Sequence, residues 1–128
     1  MTTIRLALAQ INPTVGDLSG NLEKIMSFVS IAEKSEADVV AFPELSVTGY
    51  PPEDLLLKPQ FVKENLEAVA EIAAKSKNVA TVFGFVDFHG ERYNSAAVAY
   101  QGKIVGTHRK IFLPNYGVFD EARYFKPG

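Results

Sequence analysis

The sequence predicts an α/β protein in which helices pack against a mixed sheet. Strand-like and helix-like runs alternate over the first two thirds of the chain, an order that argues right-handed β-α-β crossovers. Two long segments, 21–37 and 60–77, carry apolar residues at helical spacing. The last third holds short β-friendly runs joined by tight turns, which adds antiparallel strands to a parallel start.

IRLALAQI (4–11) is short, apolar and β-friendly, with polar breaks at Arg5 and Gln10. Turn formers fill NPTVGDLSGN. In NLEKIMSFVSIAEKSEA (21–37), Leu22, Ile25, Met26, Val29 and Ala32 line one side of a helix, with Asp17 or Ser19 available as its cap. DVVAFPE (38–44) is an apolar strand that ends at a Pro and a carboxylate. Pro52 suits a first helical position, with Glu53 and Asp54 in the first turn, so a short helix is expected there. Pro59 breaks it. QFVKENLEAVAEIAAKSK (60–77) then gives a second helix with a stripe of Val62, Leu66, Val69 and Ile72 or Ala73. Lys63 with Glu67, and Glu71 with Lys75, are spaced for weak ion pairs. VATVFGFVDF (79–88) and NSAAVAY (94–100) form a hairpin across HGER. GKIVGTHRKI (102–111) follows a turn at Gln101 and Gly102 as a third meander strand. The closing IFLPNYGVFDEARYFKPG has no clean period and is expected to pack as a loop. The order is β-α-β-(short α)-α-β-β-β.

The 128 residues are 47% hydrophobic and 22% charged, with a formal net charge of -2. That is enough chain for one domain with a core. No basic stripe invites nucleic acid. No apolar run is long enough for a membrane helix, and no secretory signal is visible. A cytoplasmic setting is expected. Cysteine is absent, which rules out disulfides and thiolate metal sites within these residues. Neither His89 nor His108 sits in a metal-ligand spacing, so no metal is expected. No internal repeat, low-complexity segment or linker is present.

Three residue groups can carry chemistry. Glu44 stands at the carboxyl end of a strand, where open α/β sheets bind ligands; it can serve as a general base or simply cap a strand end. Lys110 follows Thr107–Arg109 and can stabilise an oxyanion or pair with Glu44, or it can be the solvated end of a basic run. Tyr116, in PNYGVFDEARYF, can line a pocket or pack on a surface loop. Tyr50 and Asn94 share that ambiguity. Phe119, Tyr124 and Phe125 are expected to anchor the loop. GDLSGN lacks the features of a phosphate loop.

Taken together, AFPELSVTGYPPEDLL and HRKIFLPNYGVFDEARYF resemble the nitrilase, or carbon–nitrogen hydrolase, superfamily. The similarity runs along the whole chain from LALAQINPTVGDLSGNLEKI. More narrowly, it resembles the amino-terminal glutaminase domains of glutamine-dependent NAD synthetases. The resemblance implies a nitrilase-like four-layer α-β-β-α sandwich, of which residues 1–128 form the first half, an incomplete amino-terminal portion of the hydrolase domain. It implies a catalytic Glu, Lys and Cys: the Glu corresponds to Glu44 and the Lys to Lys110, while the Cys has no counterpart. Tyr116 corresponds to a residue of the glutamine pocket.

The implied activity is glutamine hydrolysis that supplies ammonia to an ATP-dependent domain making NAD from its deamido form. The chain alone is expected to be inactive and to hold no cofactor. ATP and Mg belong to the parent's synthetase domain. Glutamine, the rest of the hydrolase domain, the synthetase domain and further copies of the parent are the expected partners. Ser95 stands beside Asn94, but nothing places it where the family has its Cys. A stand-alone nitrilase-type amidase and a noncatalytic binding or assembly subunit are the alternatives.

Overall fold

A computed structural model describes residues 2–128. Five strands, β1 (Leu6–Leu8), β2 (Val39–Ala41), β3 (Ala80–Phe88), β4 (Arg92–Tyr100) and β5 (Lys103–Arg109), form one sheet in sequential order. Parallel pairing joins β1 to β2 and β2 to β3, and antiparallel pairing joins β3 to β4 and β4 to β5. Helix α1 (Leu18–Lys34) and helix α2 (Pro59–Lys75) provide the two crossovers. Two 3-10 turns, Glu53–Leu57 and Glu121–Arg123, complete the chain.

Helix α1 begins three residues before the expected start because Asp17 caps it. The Asp17 carboxylate accepts the Gly20 N–H at 3.0 Å, satisfying one of the first-turn donors. Lys34 stands in the last turn, where the helix dipole favours a cation. Pro59 ends the preceding 3-10 turn and also opens α2 at its first position, where no N–H is needed. The buried side of α2 runs Phe61, Val62, Asn65, Ala68, Val69, Ile72 and Ala73, wider than the expected stripe, with Leu66 at its margin. Neither Lys63–Glu67 nor Glu71–Lys75 is among the ion pairs of the described residues.

Strand alternation assigns the sheet faces. Ala7, Val40, Phe83, Phe85, Ala97 and Ala99 pack with Ile25, Val29 and Ala32 of α1 and Val69, Ile72 and Ala73 of α2 in the main core. Leu6 and Leu8 point the other way and are 55% and 68% exposed. In register with Leu8 stand Ala41, Val82, Val98 and Gly106, none of them buried. This apolar second face beside a helix-covered first face is the arrangement of half an α-β-β-α sandwich. Leu45, Leu56, Phe61, Val86 and Phe125 form a smaller core. Phe125 thereby pins the aperiodic tail, as expected of an anchor residue.

Candidate active site

Backbone constraints hold Glu44 in place. Strand β2 stops at Ala41, Phe42 N–H donates to the Val82 carbonyl at 2.8 Å, and the chain then turns over β3. Val47 N–H donates to the Gly84 carbonyl at 3.2 Å, and Gly49 N–H to the Leu45 carbonyl at 2.8 Å. The turn lies so close to β3 that a Cβ on Gly84 would collide with the Leu45 nitrogen and the Glu44 backbone. Leu45 has φ 47, left-handed and costly for a branched side chain. Its full burial in the smaller core offsets that strain. The carboxylate next door is thus delivered by a rigid turn.

Lys110 follows β5 directly. Its N–H donates to the Asn94 carbonyl at 2.8 Å, and its own carbonyl accepts from Gly128 N–H at 2.9 Å. The Lys110 ammonium donates to Glu44 Oε1 at 2.8 Å, and to Oε1 and Oε2 of Glu121 at 3.2 and 3.3 Å. The Asn94 amide donates to Glu44 Oε1 at 2.7 Å and to Glu121 Oε1 at 3.2 Å. Tyr50 hydroxyl donates to Glu121 Oε2 at 2.7 Å. An ammonium therefore sits between two carboxylates, with an amide and a phenol completing the shell.

Burial alone would pull the Lys110 pKa down. Hydrogen bonds to Glu44 and Glu121 outweigh it, and the net shift is upward, so the side chain is held as an ammonium. Burial pushes the Tyr50 phenol well above its ordinary value, and its hydrogen bond to Glu121 adds to that. Tyr50 stays a neutral donor. The two carboxylates differ sharply in exposure, the Glu121 side chain at 6% and the Glu44 side chain at 49%. Glu44 faces a cleft of about 480 Å³, which Asn94, Lys110, His108 and Phe112 also line.

Glu121 escaped the sequence reading. It lies in a run without period, directly after Asp120, and no spacing distinguishes the two. The 3-10 turn buries Glu121 and leaves Asp120 exposed. The only signal available was a carboxylate amid the aromatics of YGVFDEARYF. Tyr50 and Asn94, both ambiguous in sequence, belong to the network. Tyr116 does not: it is 69% exposed and meets Phe119 edge-on, ring centroids 5.5 Å apart. Phe119 in turn tilts against Tyr50 at 6.4 Å, so aromatic contacts join Tyr116 to the network's edge. Tyr124 hydroxyl donates to Asp54 at 2.6 Å and ties the tail to the first 3-10 turn. Ser95 is buried with its hydroxyl unpaired and touches neither carboxylate.

Among the described residues no group of three or more His, Cys, Asp or Glu is placed to hold a metal ion. No described helix is long and apolar enough to cross a membrane. The site offers a solvent-reachable carboxylate able to exchange a proton and an ammonium able to meet an oxyanion. It offers no thiol, since the 128 residues include no cysteine.

The carbon-nitrogen hydrolase family profile matches residues 5–128. The chain belongs to the carbon-nitrogen hydrolase family. A glutamine-dependent NAD(+) synthetase of Thermotoga maritima is 49% identical over 130 aligned residues, spanning 100% of this chain and 23% of that protein. The structure of glutamine-dependent NAD+ synthetase from Acinetobacter baumannii, in complex with ADP, superposes with TM-score 0.92 and 46% identity, over 98% of this chain and 24% of that one. A mutant amidase from Nesterenkonia sp. AN1 superposes with TM-score 0.83 and 25% identity, over 98% of this chain and 48% of the amidase. In that amidase the acetamide moiety of fluoroacetamide is covalently attached at the active-site cysteine. This carbon-nitrogen hydrolase chain thus spans about a quarter of the NAD synthetases it matches and about half of the amidase. Among these matches the NAD synthetases are the more similar in sequence, at 49% and 46% identity against 25% for the amidase.

Proposed function

We propose that these residues are the amino-terminal portion of a glutamine amidohydrolase domain that supplies ammonia for ATP-dependent amidation of deamido-NAD. The Lys110–Glu44 contact at 2.8 Å carries the reading. It brings together a base and an oxyanion partner 66 positions apart in sequence, at the mouth of an open cleft. The 98% coverage of this chain against 48% of an amidase supports the view that the same domain continues elsewhere.

The chemistry follows from the two groups. A cysteine thiol from the remainder of the domain gives its proton to Glu44, and the thiolate attacks the glutamine side-chain carbonyl carbon. The carbonyl oxygen takes the negative charge and is met by the Lys110 ammonium. Glu44 passes the proton to the amide nitrogen, the C–N bond breaks and ammonia leaves. Water then attacks the resulting thioester, giving a proton to Glu44. The C–S bond breaks, the thiol is restored and glutamate departs. Tyr116 is assigned to the glutamine pocket by the family resemblance, and it is linked to Tyr50 of the site through Phe119. Ammonia passes to a synthetase domain that uses ATP and Mg, in a homo-oligomeric cytoplasmic protein.

A stand-alone amidase is the second reading, favoured by the superposition on the Nesterenkonia enzyme. Ammonia release from glutamine, asparagine and acetamide by the longer protein separates the two. Glutamine preferred by orders of magnitude supports the glutaminase. Acetamide preferred supports the amidase. No release from any amide supports a noncatalytic subunit.

A further inference from the structure

We propose that Asn94 is a positioning residue that turns the Glu44 carboxylate so that only its Oε2 is left for proton transfer. The inference rests on the glutaminase reading and adds to it a residue for which that mechanism has no step.

Asn94 touches all three charged members of the site. Its side-chain amide donates to Glu44 Oε1 and Glu121 Oε1 at 2.7 and 3.2 Å, and its backbone carbonyl accepts the Lys110 backbone N–H at 2.8 Å. Both side-chain partners are carboxylates, which only accept, so the NH2 end of the amide must face them. Its two hydrogens are then both committed. The residue is 3% exposed and sits on β4 in register with Val86, between rigid strands. It therefore cannot swing away with solvent.

The consequence falls on Glu44. Oε1 takes two donors, Lys110 at 2.8 Å and Asn94 at 2.7 Å. Oε2 takes no donor among the described residues. A carboxylate at the end of a half-exposed side chain rotates freely if one ammonium alone holds it. Two donors, one on β4 and one just beyond β5, fix its plane. Oε1 is saturated, and proton exchange with thiol, amide nitrogen and water falls to Oε2. Asn94 does this without adding a third negative charge beside the Lys110 ammonium. A carboxylate at position 94 would compete for that ammonium.

The test uses the longer protein with its cysteine present. Asn94→Ala lowers kcat about 10²-fold, the usual result of misplacing a reacting group by an ångström. KM stays within about twofold, because no substrate contact is lost. Asn94→Asp has the same shape with acceptors in place of donors, and it loses at least as much kcat as alanine. Asn94→Ser keeps one donor and recovers part of kcat, which covers the case that alanine does not fold. A crystal structure of the alanine or serine variant shows the Glu44 carboxylate rotated or in two orientations. The proposal is overturned if a folded alanine variant keeps wild-type kcat, if Asn94→Asp is the milder change, or if the carboxylate keeps its orientation. Wild-type protein that hydrolyses no amide counts against the glutaminase reading instead; the crystallographic result still decides the role of Asn94.

Discussion

The Lys110 ammonium lies 2.8 Å from Glu44 Oε1, although 66 residues separate the two in the chain. One arrives on a strained turn after β2 and the other just beyond β5. The sheet order alone does not join them. The turn that carries Glu44 crosses over β3 at Gly84, and Lys110 is fastened through its backbone to Asn94 of β4. Glu121 then closes the cluster from the tail.

Gly84 should tolerate no side chain. A methyl group there meets the Leu45 nitrogen and Glu44 backbone, which cannot yield without lifting the turn. Gly84→Ala is expected to cost about 1–3 kcal/mol, the range of overpacked cores. Urea unfolding of the chain checks the magnitude. In the proposed longer protein the same change should also lower amide hydrolysis, because Glu44 moves with the turn.

Removing the cap of α1 is a smaller change. Asp17→Ala leaves the Gly20 N–H without its side-chain acceptor and is expected to cost about 1 kcal/mol. Asp17→Asn keeps an acceptor and should restore most of that stability. Denaturant midpoints at equal slope measure both.

Alkali should lower the stability of the fold. Tyr50 and Lys110 both have pKa values raised in the folded state. The native protein therefore holds more protons than the unfolded chain once pH exceeds the unfolded values, 10.0 for Tyr and 10.5 for Lys. The stabilising contribution of each is complete below its unfolded value and declines as pH climbs from there toward the folded one. Stability measured from pH 8 to 11, a range set to bracket these values, should fall at the alkaline end. Tyr50→Phe should flatten part of that fall, and an unchanged curve would remove Tyr50 from the network's energetics.

The open sheet face makes a contrasting prediction. Leu8 is 68% exposed, so Leu8→Gln in the 128-residue chain should change stability by less than about 0.5 kcal/mol. In the longer protein, where the proposed second sheet covers this face, the same change should cost several times more, about 2 kcal/mol. Equal effects in both would mean that nothing covers Leu8.

Much of this architecture is legible in the residues. The helical spacing of Ile25, Val29 and Ala32, and of Val62, Val69 and Ile72, marks the faces that are buried. The turn at Gln101 and Gly102 predicts the β4–β5 hairpin, and both residues adopt positive φ there. Strand ends are less legible. Strands β1 and β2 shrink to Leu6–Leu8 and Val39–Ala41, because apolar character outlasts the ladder when the chain turns over a neighbour. Glu44 and Lys110 are visible as residues, but their contact depends on a close approach at Gly84 that no local pattern encodes. Glu121 depends on which of two adjacent acids a 3-10 turn buries, and only the fold decides that.

The most direct test of the central claim is a rapid-quench measurement on the proposed longer, cysteine-bearing protein mixed with glutamine, reading the acyl-enzyme by mass and the released ammonia together. With wild-type Glu44 and Lys110, a glutamyl thioester should build up and turn over. Glu44→Gln should form none and lose ammonia release by at least about 10²-fold, the lower range for removing a general base. A Glu44→Gln protein that acylates and releases ammonia at the wild-type rate would contradict the account.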